Sequence, residues 1–273
     1  MLTLKIVFRK PSAFVRWIVS RGRNQGDHPT FNMKMENQRK GSRALKQRIL
    51  NILKSESPVS ALEELDEISA IKVVNALFSF LYNPDPGIKW PVVSAMGAFV
   101  AKIAADDMEA ARVVMRRLMW NLNDESGGIG WGSPEAMGEI LTRSDALAEE
   151  YANIFLSYAK EDGNYLEHEM LQRGLLWGIG RLAQVKPHLI RDSAQYLIPY
   201  LESKDANVRG LAAWLSGLMD MKEASPYLKK LREDSSEIQI YIDHKILKFR
   251  INDLAEKALE KSVVNPPRHQ YYQ

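Results

Sequence analysis

A glycine recurs at positions 97, 138, 180 and 217, at spacings of 41, 42 and 37 residues, and related sequence leads up to each one. Asn83-Pro84-Asp85-Pro86-Gly87-Ile88-Lys89 runs on to Ala95-Met96-Gly97, and Asp124 to Ile129 runs on to Ala136-Met137-Gly138. Leu171-Gln172 runs on to Gly178-Ile179-Gly180, and Lys204-Asp205-Ala206-Asn207-Val208-Arg209 to Leu215-Ser216-Gly217. Asp234-Ser235-Ser236-Glu237-Ile238-Gln239 opens a fifth segment that lacks the final glycine. A period near 40 residues in a helical pattern is the mark of stacked helix pairs, each burying its apolar face against its neighbours. Few other folds accommodate it.

The helices follow from apolar spacing and punctuation. Leu45, Ile49, Ile52 and Leu53 lie on one face of a helix over residues 43–53, and Ala61, Leu62, Leu65 and Ile68 on one that starts at Pro58. This first pair lacks the repeat signature and reads as an N-terminal cap. The first full repeat pairs a helix capped by Ser69 with one over 87–104, where Pro91 falls in the first turn. The second pairs 106–122 with a helix over 133–141, started by Ser133 as cap and Pro134 at the first position. The third pairs 144–160 with 164–184, the fourth 187–202 with 205–219, and the fifth 222–233 with 235–248. A last helix over 252–261 reads as the terminal cap. Mid-helix glycine costs about 1 kcal/mol relative to alanine, so Gly97, Gly138, Gly180 and Gly217 predict close approach of the paired helix.

The turn Asp, the following cation and the glycine eight residues after it make up a recognisable pattern. It reads Asp85, Ile88, Lys89, Ala95, Met96, Gly97, and again Asp205, Val208, Arg209, Leu215, Gly217. Over about residues 69–250 the chain resembles the HEAT-like repeat family, including the repeats of the phycobilin-lyase type. The resemblance implies an all-α, right-handed α-α solenoid of about five helix pairs with capping helices, and it is nearly silent on function. It also implies a ladder in which the turn Asp of one repeat pairs with the cation of its neighbour. Asp85, Lys89, Asp124, Asp205 and Arg209 match those positions. Gly130 stands where the second repeat should have Lys or Arg, so the ladder is expected to break there.

Charge divides the chain. Residues 1–40 hold nine Lys/Arg against Asp27 and Glu36, giving +7; the other 233 residues hold 28 against 32, giving −4. The mildly acidic body makes nucleic acid an unlikely partner. Residues 1–37 read as a basic N-terminal segment, either disordered, or upstream of a true start at Met33 or Met35, or an arm for an anionic surface. Residues 38–262 form the repeat domain and 263–273 a tail. Residues 1–32 are expected to be dispensable for stability. The chain has no cysteine, which fits a reducing compartment, and the cytoplasm is the expected location. No apolar run approaches the roughly 20 residues of a membrane span.

The candidate sites lie where the second helices begin. In HEAT-like arrays those helices line the concave face, so a partner surface is expected at Lys89, Trp90, Trp131, Glu135, Arg173 and Arg209. Trp90 and Trp131 occupy equivalent repeat positions, while Trp177 and Trp214 read as core. Four glycines between 127 and 132 precede a helix start. Gly128, Gly130 and Gly132 could cradle an anion with free N–H groups, or simply form a wide turn. Glu135 and Glu139, at i and i+4, read as a solvated face. His168-Glu169 is similar to the ligand pairs of HEAT-like di-iron hydroxylases, but no other histidine here is followed by Glu, so His168 is expected to start a helix. The sequence calls for no metal, no cofactor and no catalytic residue. The expected function is a protein-binding scaffold or adaptor. The alternative is a HEAT-type enzyme or a cofactor- or chromophore-handling factor, lyase-like or resembling the DNA-alkylation-repair glycosylases.

Overall fold

A computed structural model describes residues 29–263 except 56 and 124–129. The basic segment before residue 29, Asp124, Gly128 and the tail after 263 lie outside the described residues. The chain divides into two units, residues 1–47 and 48–273. The boundary falls within helix α1 (Pro29–Leu53), whose last turns bury Ile49, Ile52 and Leu53 in the second unit.

Twelve α-helices are described. After α1 come α2 (Pro58–Leu65), α3 (Ala70–Leu77), α4 (Pro86–Asp106), α5 (Met108–Asn123), α6 (Ser133–Arg143), α7 (Asp145–Ser157) and α8 (Glu169–Val185). Short 3-10 turns then run from Pro187 to Glu202 around a single turn, α9 (Ala194–Leu197). Pro187 and Pro199 interrupt the hydrogen-bond ladder that a continuous helix needs here. α10 (Ala206–Met219), α11 (Ser225–Leu231), strands β1 (Glu237–Ile242) and β2 (Lys245–Arg250), and α12 (Ile251–Val263) complete the chain.

The fold is a helical solenoid. Its backbone is a row of second helices lying side by side in the order α4, α6, α8, α10, α12. The first helices stand behind the row: α3 against α4, α5 against α4 and α6, α7 against α6, α11 against α12. Apolar residues from both layers fill the space between, with Met96, Met115, Leu118, Met137, Ile140, Phe155 and Leu175 all fully buried.

The glycines do bring helices together, but the neighbour is the next helix of the row rather than the partner within the repeat. A Cβ on Gly97 would lie 2.6 Å from Glu139 Cγ on α6, one on Gly138 would strike the backbone of Gly178 on α8, and one on Gly180 would strike the Trp214 ring on α10. Cβ-free positions let the row pack tightly.

Three expectations are corrected. Residues 235–248 do not form a helix: β1 and β2 make an antiparallel hairpin with Glu237 opposite Arg250 and Ile242 opposite Lys245. The last helix is not an added cap, because α12 packs on α10 as the fifth member of the row. The hairpin is therefore an insertion inside the turn of the fifth repeat, pinned at its base by Ile251 N–H donating to Ser236 O (3.0 Å) and Asn252 N–H to Asp234 O (3.0 Å). Finally, α4 is long and apolar enough, by length and composition, to cross a membrane. Its sequence is apolar nearly all round because α3, α5 and α6 surround it.

Candidate functional site

Each second helix begins at a polar turn, and those turns carry the ladder. Asp85 caps α4 by accepting from Gly87 N–H (2.9 Å), and Asp205 caps α10 by accepting from Val208 N–H (2.9 Å). His168 caps α8 through Nδ1, which accepts from Met170 N–H (3.2 Å), so it starts a helix as its sequence context implied. α6 differs. Its cap is Gly132 rather than Ser133, in the left-handed region at φ 82°, and a Cβ there would strike the Leu81 carbonyl oxygen. A Cβ on Gly130 would lie 2.6 Å from the Asn121 carbonyl oxygen. Close packing against backbone carbonyls accounts for both glycines.

Toward the C-terminal end the ladder is regular. Arg173 donates to both carboxylate oxygens of Asp205, at 3.0 Å from Nε and closer from Nη2. Arg209 donates to Asp234 Oδ2 from Nη2 (2.7 Å) and Nε (3.0 Å), and from Nη1 to the carbonyls of Ser203 and Lys204. Burial, the largest influence on Asp205, raises its pKa. The Arg173 bonds and the Val208 and Asn207 N–H groups together outweigh it and hold the carboxyl below its ordinary value of 3.8. Asp234 balances burial against Ser236 and Arg209 with the same result.

Toward the N-terminal end the arrangement is different. Lys89 Nζ reaches Glu135 Oε1 at 2.5 Å. Glu135 and Glu139 are each only 3% exposed, which corrects the expectation of a solvated face. Glu139 is satisfied at both oxygens, by Arg143 Nε (2.8 Å) and Arg181 Nε (3.1 Å). Glu135 Oε2 has no partner, and it lies against Gly174, where a Cβ would collide with the carboxylate.

The aromatic residues do not assemble as the repeat alignment implied. Trp131 precedes α6, remains 36% exposed, and makes no ring contact among the described residues. Trp90 instead stacks on Tyr241 of β1 (4.7 Å, 6°) and meets Trp177 of α8 at 4.7 Å. Trp177 Nε1 donates to the Tyr241 carbonyl (2.8 Å), and the Tyr241 hydroxyl bonds Ser94 of α4 (3.1 Å) and His244 Nδ1 (3.2 Å). Burial raises the Tyr241 pKa. Trp177 and Trp214 are core, at 2% and 9% exposure. The structure thus joins Lys89 with Glu135, sets Arg173 and Arg209 in successive rungs, and separates Trp90 from Trp131.

Among the described residues, no three His, Cys, Asp or Glu side chains gather as a metal site. Tyr241 is the residue that reading by repeats missed, although Ile238, Ile240 and Ile242 alternate with polar residues or Tyr241 as a strand does.

Residues 169–215 match the HEAT-like repeat family. That stretch covers α8 and most of α10. A protein of Archaeoglobus fulgidus described as uncharacterized is 22% identical over 200 residues, spanning 72% of this chain and 98% of its own. A designed armadillo repeat protein in complex with the peptide (KR)4 superposes with TM-score 0.51 at 15% identity, over 80% of this chain and 91% of that one. An engineered protein superposes with TM-score 0.53 at 15% identity, over 94% and 62%. At these identities the two structures speak for the HEAT-like or armadillo solenoid fold alone.

Proposed function

We propose that this HEAT-like chain is a non-catalytic scaffold or adaptor that binds a protein partner along its row of second helices. One observation carries the reading: the row already holds an extended polypeptide, its own β1. Ile238 packs on Gly210 of α10, and Tyr241 is gripped by Trp177 of α8 and by Trp90 and Ser94 of α4. A face that engages one strand through aromatic packing and indole-to-carbonyl bonding has the chemistry to engage another.

Two further points support a protein over a nucleic acid. Lys89, Arg143, Arg173, Arg181 and Arg209 are each tied to a carboxylate, so these cations of α4, α6, α8 and α10 are not free to meet the phosphates of a nucleic acid. The designed armadillo repeat protein was solved in complex with a peptide.

The exposed anchor proposed for the partner is Trp131, with Lys89, Arg173 and Arg209 at the rim. Affinity purification from native cells identifies what co-purifies, and Trp131→Ala then tests the site. The expected result is a loss of about 2 kcal/mol in affinity for that partner with helical content unchanged. Unchanged binding would move the site elsewhere, and parallel loss of folding would make Trp131 a core residue.

A further inference from the structure

The hairpin leaves one strand edge without a partner. Asp243 and His244 both have positive φ, 48° and 61°, and form a two-residue turn between Ile242 and Lys245. Such a turn makes the flanking residues a hydrogen-bonded pair and fixes the alternation along the ladder. Lys245, Leu247 and Phe249 therefore direct N–H and C=O toward β1. Ile246 and Lys248 direct theirs away from it, as does the N–H of Arg250. The same alternation points the Tyr241 carbonyl out of the opposite edge, where Trp177 Nε1 takes it. Thus β1 faces the helices and β2 faces outward. Among the described residues nothing bonds the outward backbone groups of Ile246 and Lys248.

The side chains on that edge are mixed in a regular way. Leu247 (39% exposed) and the half-buried Phe249 share the face on which Ile238 and Ile240 are buried. Lys248 and Arg250 are exposed on the other face, and Lys245 flanks the turn. Lys257 of α12 lies over the Phe249 ring at 5.9 Å. None of these four cations is in an ion pair among the described residues, in contrast to the five paired cations of the helix row.

We propose that β2 is a docking edge for an extended acidic segment of a partner protein, which adds as a third strand. Main-chain bonds to Ile246, Lys248 and Arg250 supply the register. A strand laid beside β2 alternates between the two faces. Its matching sequence therefore alternates apolar residues, beside Leu247 and Phe249, with carboxylates beside Lys248 and Arg250. A second copy of this chain is a poor occupant, because pairing β2 with β2 sets Lys and Arg against Lys and Arg. The site is on a different element from Trp131, and its test does not depend on that residue.

The probe is a short labelled peptide of alternating Glu and Val, titrated into the full chain, with an alternating Lys and Val peptide for comparison. The Glu peptide is expected to bind, to weaken with added salt, and to lose at least tenfold in affinity with Lys248→Glu or Arg250→Glu. Lys248→Pro removes an outward N–H that the hairpin itself does not use, and it is expected to abolish binding with the far-UV spectrum retained. If that variant unfolds the hairpin, amide hydrogen exchange on the unaltered chain decides. Peptide should slow exchange at Ile246, Lys248 and Arg250, and leave Leu247 and Phe249, already protected, as they were. Absence of binding, equal binding of both peptides, protection elsewhere, concentration-dependent dimers that hide this edge, or preference for anionic phosphatidylserine vesicles over the peptide would overturn the proposal.

Discussion

The two ends of the helix row use charge differently. At the C-terminal end each arginine meets a carboxylate that also accepts a backbone N–H: Asp205 takes Arg173 and the Val208 N–H, while Asp234 takes Arg209 and the Ser236 N–H. These rungs repeat, are partly wet, and leave no carboxylate oxygen wanting. At the N-terminal end, Gly130 supplies no cation. The carboxylate there comes instead from within α6, buried, with one oxygen bonded to Lys89 and the other bonded to nothing. A repeated rung tolerates the loss of one member because other donors remain. A buried pair with no reserve does not.

That contrast breaks first at Lys89. Lys89→Met leaves Glu135 buried without its cation and is expected to cost about 3 kcal/mol, read from the urea midpoint at constant slope. Adding Glu135→Gln should restore much of it. A cost as small as that of an exposed pair, about 0–1 kcal/mol, would erase the distinction between the two ends.

Gly174→Ala sharpens the same point from the other helix. Alanine is the better helix former by about 1 kcal/mol, yet its Cβ would enter the Glu135 carboxylate. A net loss of about 2 kcal/mol is expected, and thermal melts of the two chains compare it directly. A gain in stability would show that the carboxylate moves aside freely.

Arg209→Gln tests the repeated rung. Asp234 keeps its Ser236 bond, so a loss of about 1 kcal/mol is expected, well below that of Lys89→Met. The reverse order in the same denaturation series would invert the comparison.

The smallest effect is on pH. Asp205 and Asp234 have folded pKa values below the ordinary 3.8. Their stabilisation is fully present above the unfolded value and is lost as pH falls through the folded one. The chain should therefore weaken between about pH 4 and more acid conditions. Asp205→Asn with Asp234→Asn should flatten that acid limb, and an unchanged limb would locate the titrating groups elsewhere.

The glycine period and the turn residues made the row of helices legible, down to the start of α6 at Ser133. The ladder was legible at Arg209, where the Asp and Arg spacing repeats. Arg173 shows no such spacing, because Glu169 rather than Asp stands four residues before it. The burial of Glu135 and Glu139 was hidden, because an i, i+4 glutamate pair looks the same whether it faces water or Lys89 and Arg181 from the helices on either side. The hairpin was written in the sequence but overruled. Residues 238–242 alternate as a strand, yet the period of 40 supplied a helix at that place. Tyr241's partners Trp90 and Ser94 lie more than 140 positions away, beyond any local pattern.

The reach of Tyr241 has a consequence for how the chain is made. In an ordinary array every repeat touches only those beside it, so an N-terminal portion finishes its packing as it leaves the ribosome. Here the aromatic face of α4 waits for residue 241, made 147 residues after Ser94. The first repeat stays incompletely covered until then, and the long-range closure that seals it is slow to form. Covering the first repeat thus depends on a residue of the fifth, a coupling that stacking of neighbours alone does not supply.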